Sequence, residues 1–173
     1  MLKKILSIGA VTTILYSSVS FSSDGVVNFT GEILESACDV SVGGDNALSV
    51  NLGRIAKKSF ATSGDTAAAT KFTIKLTGCP EALTSVNVKF DGVTDSKNNN
   101  YLAITPGTGV ASGVAIALYD VSQKLLPMLT ASTAYKISTG DNNLDFYARY
   151  IATENTVNAG QANSTSTFSL VYN

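Results

Sequence analysis

Few residues of this chain are of the types that do chemistry, and their spacing argues against a catalytic centre. No His occurs in 173 residues, which removes every His-based triad and, with two Cys, leaves no ordinary zinc ligand set. Gly107-Thr108-Gly109 followed by Gly113 resembles a phosphate cradle, but no Lys-Ser/Thr pair or amphipathic helix follows, so it reads as a loop. Carboxylates at Asp91, Asp95, Asp120, Asp141, Asp145 and Glu154 supply the residue type of a glycosidase pair. Most of them fall in turn-forming sequence, where Asp serves the backbone. Tyr101, Tyr119, Tyr135, Tyr147, Tyr150 and Tyr172 offer rings that could stack on sugars, yet they lie in strand-like segments and read as core or rim packing. Asn28-Phe29-Thr30 and Asn163-Ser164-Thr165 match the glycosylation sequon, a three-residue pattern of low specificity. The residues therefore imply no enzyme, no cofactor and no metal.

The start of the chain has the character of an export signal. Lys3 and Lys4 precede an uncharged, mostly apolar run from Ile5 to Tyr16, followed by Ser17, Ser18, Ser20 and Ser22. The run is shorter than the roughly 20 residues a spanning helix needs, and no later segment is apolar enough to span, so no stable membrane insertion is expected after signal removal. Cleavage is expected between Ser20 and Asp24. Loss of Lys3 and Lys4 leaves 10 basic against 13 acidic residues, a net charge near −3. That charge offers no field for nucleic acid or an anionic lipid surface. In an oxidising compartment, Cys38 and Cys79 are most simply one disulfide, as a single pair has one intramolecular connectivity.

The elements that must position these residues read as strands and turns. Val27, Phe29 and Ile33 alternate with polar neighbours, and so do Phe72, Ile74 and Leu76, and Val86, Val88 and Phe90. Further strands are expected at Ser49–Leu52, Tyr101–Thr105, Val114–Tyr119, Ala134–Ile137, Asp145–Ile151 and Thr165–Tyr172, with turn chemistry between them at Gly43–Asn46, Ser63–Asp65, Asp91-Gly92, Asn98–Asn100, Pro106-Gly107 and Gly140–Asn143. Ala67-Ala68-Ala69 leans helical but is too short, and is expected as a loop entering the strand at Phe72. Short strands at this spacing favour a β-sandwich.

Both ends of the mature chain are alternating apolar strands. One runs Val27-Asn28-Phe29-Thr30-Gly31-Glu32-Ile33, ahead of Cys38; the other is Phe168-Ser169-Leu170-Val171-Tyr172-Asn173. With no residues left for a closing strand beside the second, an edge with apolar side chains beneath it is expected to stay open. On the signal, the G-x-V-x-F-x-G-x-I-type extension from Gly25 to Ile33, Cys38, Cys79 beside Pro80, Gly160 and the penultimate Tyr172, the chain resembles the chaperone-usher fimbrial subunits, specifically the type 1 major pilin family. The adjacency of Val26 and Val27 departs from that pattern and leaves open which of the two faces inward.

The resemblance implies an all-β, incomplete immunoglobulin-like sandwich lacking its last strand, with residues 1–22 as signal peptide, 23–35 as N-terminal extension and 36–173 as the pilin domain. It further implies that Val27, Phe29, Gly31 and Ile33 form a donor strand for a neighbouring subunit. Gly160, Phe168, Leu170, Tyr172 and Asn173 would form the acceptor groove and chaperone contact. The implied partners are other pilin subunits in a head-to-tail polymer, a periplasmic pilus chaperone and an outer-membrane usher, and the implied destination is a fimbrium on the bacterial surface, reached through the periplasm. The alternative function is a secreted lectin-like adhesin domain that binds glycans through tyrosines and turn carboxylates.

Overall fold

The computed structural model describes residues 24–43 and 47–173. The export signal and the Gly44–Asn46 part of one expected turn lie outside the described residues. Residues 24–33 form no strand, and Val26, Val27, Phe29 and Ile33 are exposed. The strand expected there is absent because alternation supplies a face while only a partner edge supplies hydrogen bonds.

Among the described residues the body from residue 34 onward is all β apart from one 3-10 turn at Lys57–Ser59. In chain order its strands are β1 (Asp39–Ser41), β2 (Thr66–Cys79), β3 (Ser85–Asp91), β4 (Leu102–Ala103), β5 (Val114–Tyr119), β6 (Leu125–Leu126), β7 (Tyr135–Lys136), β8 (Gly140–Ala152) and β9 (Thr167–Tyr172). One sheet has the order β1-β2-β8-β5-β4, with β6 also on β5; the other is only β7-β3-β9. Every pairing between these strands is antiparallel.

The core forms where period-two residues of the two sheets meet. Ile74 and Leu76 of β2 and Leu144 and Phe146 of β8 are buried, as are Val86, Val88 and Phe90 of β3. Phe146 is centred on an aromatic cluster, with its ring 5.5 Å from Phe72, 5.2 Å from Phe90 and 5.3 Å from Tyr135. Such rings contribute area and preferred edge or offset geometry at once.

Four expectations are corrected by tertiary pairing or by its absence. Ala67–Ala69 lies within β2, paired with β8 through Thr66↔Ile151 and Ala67↔Tyr150, and the surplus residue is taken up as a bulge at Ala68, φ 60°. Ser49–Leu52 is extended but belongs to no strand, although Val50 and Leu52 are half-buried. Tyr101–Thr105 and Ala134–Ile137 shrink to two paired residues each.

Candidate functional site

The three-stranded sheet ends on β9, which pairs with β3 on one side only. On its other side the two sheets part around a groove. The extended segment 47–53 forms one wall and residues 162–168 the other, and the floor is Phe72 and Ile74 of β2, Phe90 of β3, Ile116 and Leu118 of β5, and Ala148 of β8. Its volume is about 960 Å³. The floor is apolar because these are inward positions of strands that would face a further strand in a closed sandwich.

The last strand builds its wall by strict alternation. From Ala162 to Tyr172 every second residue is half-buried and the residues between them are exposed. Phe168, Leu170 and Tyr172 turn inward onto the core, and Phe168 also lines the groove, 6.3 Å from the ring of Phe90. Pairing Phe90↔Phe168, Val88↔Leu170 and Val86↔Tyr172 fixes this register. Asn173 is tied to β3: its backbone N–H donates to Ser85 O at 3.0 Å and its amide to Asn87 Oδ1 at 2.6 Å. Burial pushes the Tyr172 hydroxyl above its usual range, against a backbone hydrogen bond at Cys38.

A second cavity of about 550 Å³ continues upstream, lined by Arg54, Lys57, Phe60, Val114, Val157 and Gly160. The two cavities share Gly53, Tyr150, Ala162 and Asn163. At this pinch the Tyr150 hydroxyl donates to Ala162 O at 3.0 Å, and burial raises its pKa. Gly160 sits where two backbones cross: a Cβ there would stand 2.4 Å from Ala111 N and Val110 C.

Cys38 and Cys79 form the expected disulfide, joining the approach to β1 with the end of β2. Val27, Phe29, Gly31 and Ile33, by contrast, lie in the strandless segment ahead of the body. The wall at 47–53, the Tyr150 pinch and the Arg54–Phe60 region were not singled out from sequence. Val50 and Leu52 did carry an alternation signal, read there as an ordinary strand.

Five of the six candidate carboxylates are engaged structurally. Asp145 accepts hydrogen bonds from Lys71, 2.8 Å away, and from the Thr73 hydroxyl, which together hold its carboxyl below the usual range. Asp91 pairs with Lys89 and Glu154 with Lys97. Asp95 and Asp120 accept backbone N–H groups within their own turns. Gly109 and Gly113 have φ of 73° and 74°, so the Gly-rich loop is explained by backbone conformation. The Arg149 guanidinium covers the Tyr119 ring at 4.6 Å. Among the described residues no cluster of His, Cys, Asp and Glu could hold a metal ion, and no helix is long and apolar enough to cross a membrane.

A family model described as fimbrial protein matches residues 27–173. The long polar fimbria protein A of Salmonella typhimurium is 34% identical over 174 residues, covering 99% of this chain and 97% of that protein. A probable major fimbrial subunit of Escherichia coli O157:H7, LpfA, is 38% identical over 152 residues, 87% of this chain and 85% of its own. Among solved structures, a Burkholderia pseudomallei antigen and type I fimbria protein matches with a TM-score of 0.62 at 36% identity, over 80% of this chain and 91% of that one.

Proposed function

This chain belongs to the fimbrial protein family and is a structural, non-enzymatic subunit with the immunoglobulin-like pilin fold, and from that premise we propose that its groove receives an extended arm from a neighbouring subunit. The arm is residues 24–33 of the next copy. Val27 and Phe29 enter over the apolar floor, Gly31 passes the pinch with Ile33 beyond it, and the arm's backbone runs along the edge from residue 162 into β9 at Phe168, leaving Leu170 and Tyr172 to the chaperone contact. A strand added to an exposed edge gains main-chain hydrogen bonds, while alternate side chains in pockets give specificity. Each large apolar side chain contributes roughly 1.5–3 kcal/mol on full burial. Because Val27 shares the parity of Phe29 and Ile33, it rather than Val26 faces the groove.

Donation from one copy to the next is heterologous and generates a filament unless the rotation happens to close. Before assembly, a periplasmic chaperone occupies the same edge and holds Asn173, and an outer-membrane usher passes the subunit to the cell surface. One observation carries the reading: an apolar groove beside a strand paired on one side only occurs in a chain whose leading segment presents Phe29 at 92% and Ile33 at 97% exposure. Deleting residues 24–33 tests it. The mature chain should then fail to form head-to-tail polymers on a gel run without heating, whereas polymers of unchanged length would overturn donation by this arm.

A further inference from the structure

We propose that the upstream cavity is a charge-reading terminus of the groove, in which Arg54 and Lys57 of one copy pair with Glu32 of the arm of a second copy and with Glu35 just beyond that arm. The inference rests on the arm-in-groove reading and adds its electrostatic selectivity.

Direction follows from volume. The pinch at Tyr150 and Ala162 separates about 960 Å³ downstream from about 550 Å³ upstream. Gly31, with no side chain, is the arm residue suited to a pinch. With Gly31 there, two side chains, Val27 and Phe29, lie on one side of it and one, Ile33, on the other. Two side chains including a Phe belong in the larger space, so Ile33 enters the smaller, against Phe60, Val114 and Val157. The large cavity is walled by residues 162–168 and the small one by 157–163, so the arm runs opposite to β9. Antiparallel pairing is also the slightly more stable ladder and the one used between all the named strands.

Charge agrees with that direction. From Asp24 to Glu35 the chain carries three carboxylates and no Lys or Arg, and two of the three, Glu32 and Glu35, flank Ile33. Arg54 and Lys57 line the cavity that receives Ile33, both are exposed, and neither is in an ion pair among the described residues. Glu32, of outward parity, reaches the rim. Glu35 follows Ile33 by two residues, about 7 Å further along an extended chain.

Charge reversal in the mature, full-length chain tests this, with fibre growth followed by light scattering in about 50 mM and about 500 mM salt, where screening differs strongly. Glu32→Lys with Glu35→Lys should slow assembly about three- to tenfold at low salt, a modest effect because exposed pairs are weak, and the difference should shrink at high salt. Arg54→Glu with Lys57→Glu should do the same. All four changes together should restore the wild-type rate to within about twofold, and Arg54→Lys with Lys57→Arg should leave it unchanged. Rates within about twofold of wild type for both reversals, or a fourfold variant no faster than the slower reversal, would overturn the inference. Deletion of residues 24–33 separates the two failures. If deletion abolishes assembly while reversal is neutral, only the charge reading fails; if the deleted chain still assembles, the arm-in-groove reading fails with it.

Discussion

Gly160 has a physical reason that its position near the C-terminus does not reveal. The chain crosses residues 109–111 there, and Ala111 N–H donates to Gln161 O at 2.8 Å while Gln161 N–H donates to Gly109 O at 2.9 Å. A methyl group on residue 160 would press on Ala111 N and Val110 C at 2.4 Å, and backbone has little room to yield. Gly160→Ala is therefore expected to destabilise the subunit by about 1–3 kcal/mol, the range of an overpacked site, measured as a lower urea midpoint at unchanged slope. Gly31→Ala is the control, since a Cβ there meets nothing within 4 Å; its urea curve should overlay the wild type. If Gly160→Ala matches that control, the crossing is soft and Gly160 owes its place to the groove alone.

Where one sheet face is apolar and both neighbours are present, element boundaries were legible: Val114–Tyr119 agrees to the residue with β5, and Val86, Val88 and Phe90 are the inward positions of β3. What the sequence hid are elements fixed by partners. β1 is three exposed residues, Asp39–Ser41, without a buried face, and it exists because it pairs with Lys75, Leu76 and Thr77 beside the disulfide. The reverse error occurred at Ser49–Leu52, where a strand-like pattern has no partner and forms none. The groove was legible as an open last edge, but its second wall and its pinch depend on loops that come together only in three dimensions. The disulfide acts at this scale, linking positions 41 apart in sequence to hold β1 on the edge of β2. Replacing both cysteines by Ser should cost about 4 kcal/mol by loop-closure entropy, read as a lower urea midpoint of the reduced-type variant against the oxidised parent. A loss below about 1 kcal/mol would mean that the β1–β2 pairing alone holds this edge.

At the scale of the whole molecule, six strands of one sheet face three of the other, so the body carries an apolar floor with too little sheet above it. A compact domain normally covers such a face with further sheet, and an apolar groove left without that cover marks an interaction surface. The floor residues Ile74, Phe90 and Leu118 are nevertheless below a tenth exposed: flanking strands shield them from the sides, and the groove leaves them short of packing partners. Such under-packing weakens dispersion and lets a small apolar dye enter. The monomeric mature chain should therefore bind ANS and melt well below the assembled fibre, because a strand that binds only the native state stabilises it by RT ln(1 + [L]/Kd), about 4 kcal/mol at a thousandfold excess over Kd. Fibres of the same chain should lose the dye signal and melt at higher temperature. Equal melting temperatures with no dye binding in either state would place the closing strand within the monomer, and the unequal sheets would then need a different explanation.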